Sequence, residues 1–162
     1  IGGMNNGTVV GSYNEATVFA IRSPVGGNCG QNQTEASIFA CYNLGNIQSN
    51  SEDVGGIVGI LYGGQVSGNY NMGKISGTYH TGFIVGYNFL TDETATNYSI
   101  MSSEDLSGQT SSNCVIIDGT TVTWSIAKDE MNKVLAELQV EWYYIDNEDG
   151  DSTNRPLIVS KA

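Results

Sequence analysis

The sequence predicts an all-β fold, a parallel β-solenoid of about three to four coils that ends in a C-terminal cap with one short α-helix. Three observations predict it: a period of about 28 residues, short apolar segments bounded by glycine, and no sustained 3.6-residue apolar stripe before residue 125. Because one repeat unit of this length cannot bury its apolar face alone, successive units are expected to stack on one another.

The period is clearest in the tyrosines, four of which are spaced 29, 28 and 28 residues apart. They are Tyr13, Tyr42, Tyr70 and Tyr98, and the first three are followed by Asn14, Asn43 and Asn71. The same alignment makes Val9, Ile38 and Val66 equivalent. Glycine-bounded segments at residues 26–30, 55–59 and 82–86 complete the repeat, so each period carries three short apolar segments.

Three short strands per period fit one coil of a parallel solenoid, whose coils lie roughly 4.8 Å apart. Equivalent residues then lie above one another, which predicts a tyrosine row, an aliphatic row and an asparagine ladder. We expect the tyrosine row to lie in the core with the aliphatic rows; the alternative is an exposed row that stacks on sugars. A left-handed hexapeptide solenoid is the rival fold, but the sequence has no six-residue aliphatic rhythm.

The period fails beyond residue 100, so Tyr98 marks the last coil. We assign residues 1–103 to the repeats and residues 104–162 to a capping segment of the same structural domain. In this segment, residues 115–117 and 121–124 are predicted to form a hairpin around an Asp-Gly turn. A helix from Ser125, with an apolar face that includes Met131, and two strands at residues 140–145 and 157–159 follow. The segment is expected to cap the solenoid, because a terminal repeat needs a polar outer surface.

The repeats resemble the GLUG-motif repeats of secreted and surface-attached bacterial proteins, which also occur beside immunoglobulin-A metallopeptidase domains. The segment at residues 55–59, Gly-Gly-Ile-Val-Gly, is the best copy of the motif core, whereas Phe83 and Asn28 depart from it. Met131, Trp142 and residues 155–158 resemble the closing segment of such arrays. The resemblance implies a right-handed parallel β-helix at the cell surface or outside the cell, with scaffolding or adhesive roles and no catalytic residue.

Composition limits the partners. The net charge is −11, which argues against nucleic acid and anionic membrane surfaces, and residues 1–90 contribute only −2 of it. No apolar stretch approaches the length of a membrane span. Because the chain starts inside a repeat at Ile1, we expect further coils and flanking domains in a longer parent chain.

Several residues are candidates for metal binding or catalysis. The acidic run at residues 146–152 has the alternating carboxylates of a calcium loop, but we expect a solvated turn without metal. His80, the only histidine, is expected to be a surface turn residue, and no His-Glu-x-x-His motif is present. Glu52 and Asp53 are a close carboxylate pair in the coils, and as strand neighbours they should face different ways.

The three cysteines, Cys29, Cys41 and Cys114, have no metal-ligand spacing. Cys29 and Cys41 could form a disulfide, but free thiols are expected.

Two functions fit these observations. The first is a non-enzymatic bacterial surface or secreted module, an adhesin-like or spacer segment without cofactor, whose partner would be a host or matrix glycan or protein. The second is a β-helix polysaccharide lyase or hydrolase fragment, which would need two carboxylates at a set separation and has only Glu52 and Asp53 to offer.

Overall fold

The computed structural model describes residues 2–22, 24–50, 52–90, 96–100, 114–148 and 153–161. The chain forms a parallel β-solenoid of about three turns, followed by one helix and an antiparallel strand pair. This confirms the predicted fold class.

Each turn contains five short strands, not the three that the sequence predicts. The first turn has β1 (Gly2–Asn5), β2 (Thr8–Val10), β3 (Tyr13–Asn14), β4 (Val18–Ala20) and β5 (Val25–Gly26). The second has β6 (Cys29–Asn32), β7 (Ser37–Phe39), β8 (Tyr42–Asn43), β9 (Ile47–Ser49) and β10 (Glu52–Gly55). The third has β11 (Val58–Leu61), β12 (Gln65–Ser67), β13 (Asn69–Asn71), β14 (Ile75–Ser76) and β15 (Tyr79–Gly82). Beyond it lie β16 (Val85–Asn88), β17 (Asn97–Ile100) and β18 (Val115–Ile117).

Equivalent strands of successive turns pair in parallel and build five sheets. The sheets are β1-β6-β11-β16, β2-β7-β12, β3-β8-β13-β17-β18, β4-β9-β14 and β5-β10-β15. The register is the predicted one: the four tyrosines are partners in sequence, and so are the three aliphatic residues of the row that begins with Val9. Repeat spacing therefore fixed the strand pairing correctly.

One of the two extra strands in each turn arises at a column of left-handed residues. Gly11, Ala40 and Gly68 have φ values of 60°, 51° and 69° and separate each aliphatic strand from the strand that carries the tyrosine. In one continuous strand, residues four apart would point to the same face. Because the chain turns between them, Val9 and its equivalents point into the solenoid whereas the tyrosines point away from it.

The interior of the solenoid holds two apolar clusters. One contains Cys29, Ile38, Cys41, Ile57, Val58, Leu61, Val66, Ile84 and Val85, and the other contains Val25, Ile47, Val54 and Ile75. Asparagines line the remaining interior column: Asn14 Nδ2 donates to Asn43 Oδ1 at 2.7 Å, and Asn43 Nδ2 donates to Asn71 Oδ1 at 2.7 Å. The predicted amide ladder is confirmed, and Ser99 ends it.

The glycine-bounded motif is needed where two sheets approach closely. A Cβ on Gly55 would overlap the carbonyl group of Val58, and a Cβ on Gly59 would lie 2.6 Å from the backbone nitrogen of Val25. Such contacts are closer than any real Cβ makes, so these positions tolerate glycine alone. The spacing of the motif is thus a packing requirement of the coil.

The predicted helix and final strands are present. Helix α1 (Trp124–Glu137) has Thr123 as its N-cap, and the Thr123 hydroxyl accepts a hydrogen bond from the Ile126 N–H. Ala127, Met131 and Leu135 form its buried face. Strands β19 (Trp142–Ile145) and β20 (Leu157–Ser160) pair antiparallel.

The predicted hairpin at residues 115–124 is wrong. Strand β18 pairs in parallel with β17 and adds one strand to the tyrosine-bearing sheet, inside the segment that we assigned to the cap. The Asp118 carboxylate accepts hydrogen bonds from the N–H groups of residues 120–122, which holds these residues in a turn. These bonds lower the pKa of Asp118 to about 2. The predicted domain boundary at residue 103 lies outside the described residues.

The cap lies along the side of the solenoid, against the tyrosine-bearing sheet. Leu135 packs on Gly68 in the third turn, and Trp142 packs on Gly11 in the first turn. The Tyr144 hydroxyl donates to the carbonyl of Gly68 at 2.8 Å and lies 3.2 Å from the carbonyl of Cys41. The cap therefore bridges all three turns laterally.

Candidate functional site

The tyrosine row is not an open binding platform over most of its length. The Tyr13 and Tyr42 rings stack at 4.9 Å, and those of Tyr42 and Tyr70 stack at 4.8 Å, with interplanar angles of 6° and 5°. Tyr42, Tyr70 and Tyr98 are 4%, 0% and 5% exposed, because the cap covers them. Only Tyr13 is half exposed. The row is buried as we predicted, but it lies between solenoid and cap and not in the solenoid interior.

Polar groups of the cap close this interface. The Tyr70 hydroxyl donates to the Pro156 carbonyl at 2.8 Å, and the Arg155 guanidinium carbon lies 5.5 Å above the centre of the Tyr42 ring. Burial raises the pKa of Tyr42, Tyr98 and, well above its ordinary value, Tyr144. These hydroxyls stay neutral, and that of Tyr144 hydrogen-bonds to the solenoid backbone.

A second set of rings lies exposed elsewhere on the third and fourth turns. We call Tyr62, Tyr79, His80, Tyr87 and Phe89 the aromatic strip. Tyr79 is 62% exposed, Phe89 54% and Tyr62 37%, and His80 and Tyr87 are half-buried. Large exposed aromatic side chains that contact one another form a patch, and a contiguous exposed patch is the usual mark of an interaction site.

The rings of the strip form a continuous chain of contacts. Centroid distances are 4.1 Å from Tyr79 to His80, 4.3 Å from His80 to Tyr87, 4.7 Å from Tyr87 to Phe89 and 5.0 Å from Phe89 to Tyr62. The Phe89 and Tyr62 rings stack within 21° of parallel, whereas Tyr87 meets Phe89 edge-on. These contacts fix the rings against one another before any ligand arrives.

His80 and Asp53 form a polar pair beside the rings. His80 Nδ1 lies 2.9 Å from Asp53 Oδ1, and the two side chains are 31% and 13% exposed. Both residues have left-handed backbones, with φ values of 45° and 61°, and occupy equivalent positions in β15 and β10. Because a carboxylate only accepts, the hydrogen of the pair is on Nδ1, and Nε2 is directed away from Asp53.

The structure shows where the candidate site residues lie and what they contact. His80 is not a simple surface turn residue: it is half-buried within β15. Asp53 bonds to His80 whereas Glu52 is exposed, so the two carboxylates do not act as a pair. Part of the acidic run 146–152 lies outside the described residues, and within it Lys128 Nζ binds both Asp146 oxygens, at 2.7 and 2.8 Å.

The cysteines are free thiols, Cys29 and Cys41 buried and Cys114 partly so. Burial raises the pKa of Cys41 and of Cys114 to about 12. Across the described ranges, no three His, Cys, Asp or Glu side chains come together as metal ligands. No helix in that part of the chain has the length and apolar character needed to span a membrane.

The sequence contains an aromatic repeat within the strip, which an alignment on the Tyr-Asn pairs alone does not show. Phe89 and Tyr62 occupy equivalent positions in successive turns, just after β16 and β11. Their ring contact is the same rung-to-rung stacking that the tyrosine row shows. An alignment of these two turns beyond the Tyr-Asn pairs would have found it.

The fold and the strip define a parallel β-solenoid with an exposed aromatic surface. Comparison with protein-family models, with curated proteins and with solved structures finds no match to this chain. The resemblance to GLUG-motif repeats stays a prediction that rests on the residues themselves.

Proposed function

We propose that the chain is a non-enzymatic, adhesin-like module of a bacterial cell-surface or secreted protein, and that the aromatic strip is its binding face. The observation that carries this proposal is a set of five contacting rings, three exposed and two half-buried, on a solenoid whose other aromatic row is mostly covered. Exposed aromatic residues contribute most of the energy of many interfaces, and a rigid scaffold reduces the entropy lost on binding.

Several features of the fold support the role of a rigid scaffold at a surface. Parallel rungs with buried asparagine ladders and apolar clusters run through the solenoid, and the lateral cap ties the first turn to the third. A stiff module of this kind can also separate other domains from a cell surface, which is the spacer role. The net charge of −11 disfavours nucleic acid and anionic lipid as partners.

Beads coated with the protein test the proposal on immobilised glycans and host-matrix proteins. We expect retention on at least one surface, and a loss of retention with Phe89→Ala beads. The matched control is Phe19→Ala, because Phe19 is 56% exposed in the first turn, away from the strip. Absence of retention on every surface would refute the adhesin-like role and leave the spacer role.

The Asp53–His80 pair supports a second candidate, a β-helix enzyme that cleaves polysaccharide. A histidine held by a carboxylate can act as general base, and it lies beside rings that could hold a sugar. Reducing-sugar release from a polysaccharide panel, abolished by both Asp53→Ala and His80→Gln, would establish this candidate over the first.

A further inference from the structure

We propose that the aromatic strip binds uncharged polysaccharide by stacking pyranose rings on its aromatic faces, an inference that rests on the proposed binding function and names its ligand class. A pyranose has apolar C–H faces and a hydroxyl rim. The strip presents exposed aromatic rings together with the polar Asp53–His80 pair. The two patterns are complementary.

The fold itself does not require these rings. Tyr87 is equivalent to Ile60, Gln31 and Met4 in the other turns, and all four positions pair in the same sheet. The equivalent columns thus accept aliphatic and amide side chains without loss of register. In the columns of the strip, aromatic residues occur only in the last turns, which argues for a ligand and against a stacking requirement.

The Asp53–His80 pair supplies directed hydrogen bonding within the strip. His80 lies between the Tyr79 and Tyr87 rings, at 4.1 and 4.3 Å. In the tautomer that donates from Nδ1 to Asp53, Nε2 of His80 is an acceptor for a sugar hydroxyl. Asp53 is then a positioning residue, which holds the imidazole orientation without needing contact with the sugar.

Charge selects among polysaccharides. Residues 52–62 and 79–90, which carry the strip, include Glu52 and Asp53 and contain neither lysine nor arginine. Uronate or sulfate groups would meet like charge without a compensating cation. A quaternary ammonium ligand would need rings arranged around a point with a free carboxylate. Here the rings contact one another in succession, and Asp53 is bonded to His80.

The succession of ring contacts also predicts a preference for chains over single sugars. Four successive ring contacts, each longer than 4 Å, extend from Tyr79 to Tyr62. More than one sugar ring can therefore contact the strip at once. Weak contacts made by linked units reinforce one another through effective concentration.

Affinity electrophoresis tests the inference on the whole chain, with soluble β-glucan and mannan as neutral probes, polygalacturonate as the acidic probe and tetramethylammonium as the cationic competitor. We expect retardation by at least one neutral polymer. Phe89→Ala and Tyr79→Ala should raise its dissociation constant about tenfold, which corresponds to about 1.4 kcal/mol. Phe19→Ala should leave it unchanged.

A second set of variants tests the polar pair. Asp53→Ala should weaken binding by loosening the His80 ring, and Asp53→Asn should restore it, because an amide oxygen still accepts from Nδ1. His80→Phe keeps a ring in place but removes the acceptor, so it should weaken binding. Thermal unfolding of each variant separates these effects from loss of fold.

The outcomes distinguish the inference from the proposed function. Binding of polygalacturonate alone, displacement by tetramethylammonium, or equal retardation of wild type and strip variants would overturn the glycan inference. Adhesion of the beads to matrix proteins, without retardation by any neutral polymer, would also overturn it but leave the adhesin-like role standing. If no polymer retarded the protein and no surface retained the beads, both the glycan inference and the adhesin-like role would be refuted.

Discussion

The hydroxyl of Tyr144 makes a direct, buried polar link between cap and solenoid, so its removal should destabilise the protein. The side chain is 1% exposed, and the hydroxyl donates to the Gly68 carbonyl at 2.8 Å, with the Cys41 carbonyl at 3.2 Å. Tyr144→Phe keeps the ring and its apolar contacts and removes only this link. The matched control is Tyr143→Phe, because Tyr143 is the half-buried neighbour on the same strand.

The size of the effect follows from burial. A buried carbonyl that loses its donor costs about 1–3 kcal/mol, so Tyr144→Phe should lower the free energy of unfolding by about 2 kcal/mol. For a chain of this length, that corresponds to a fall in Tm of about 4–8 °C. The change at the half-buried Tyr143 should stay within about 0.5 kcal/mol.

Differential scanning calorimetry of the three proteins measures these shifts. Hydrogen exchange adds the location: the amides of Trp142–Ile145 and of helix α1 should lose protection in Tyr144→Phe before those of the interior strands. A Tm for Tyr144→Phe equal to that of Tyr143→Phe would refute the reasoning. It would mean that the cap is not held to the solenoid through this hydroxyl.

Three further predictions concern the solenoid itself. In urea unfolding, Gly68→Ala should destabilise the protein by about 1 kcal/mol or more beyond Gly119→Ala, and equal losses would contradict the contact with the cap. Both glycines have positive φ, but only a Cβ at residue 68 would meet the cap, 2.8 Å from Leu135. Asn43→Ala should lower the free energy of unfolding by about 1–3 kcal/mol, and by more than Asn14→Ala, because Asn43 is fully buried within the ladder. The reverse order would show that the ladder does not stabilise the stack. Since burial raises the pKa of Cys41 from 9.0 to about 12, stability that is present below pH 9 should be lost as the pH rises towards 12. Cys41→Ala should reduce that loss, and an identical pH dependence of the unfolding free energy in both proteins would refute this prediction.

Strand pairing could be predicted from the sequence because it depends on spacing alone. The tyrosine period, the amide ladder and the aliphatic rows required only that equivalent residues lie above one another. The helix was equally accessible, because Met131 and Leu135 show its 3.6-residue pattern.

The direction of the side chains could not be predicted in the same way. The left-handed residue at positions 11, 40 and 68 reverses which face the tyrosines occupy, and alanine at position 40 gives no sign of it. The hairpin prediction failed because the Asp118 carboxylate satisfies three N–H groups that a strand would have paired. The aromatic strip joins residues from two sheets, so no single segment reveals it.

The fold described above requires one parallel stack of the Tyr13, Tyr42 and Tyr70 rings on the outer side of a sheet, where the cap covers Tyr42 and Tyr70. Nuclear Overhauser spectroscopy of protein protonated only in its tyrosine and tryptophan rings tests it directly. We predict ring-to-ring cross-peaks from Tyr13 to Tyr42, from Tyr42 to Tyr70, and from Tyr70 to Trp124, whose rings lie 5.1 Å apart. A spectrum without tyrosine-to-tyrosine cross-peaks, or without contact between Tyr70 and Trp124, would contradict the account.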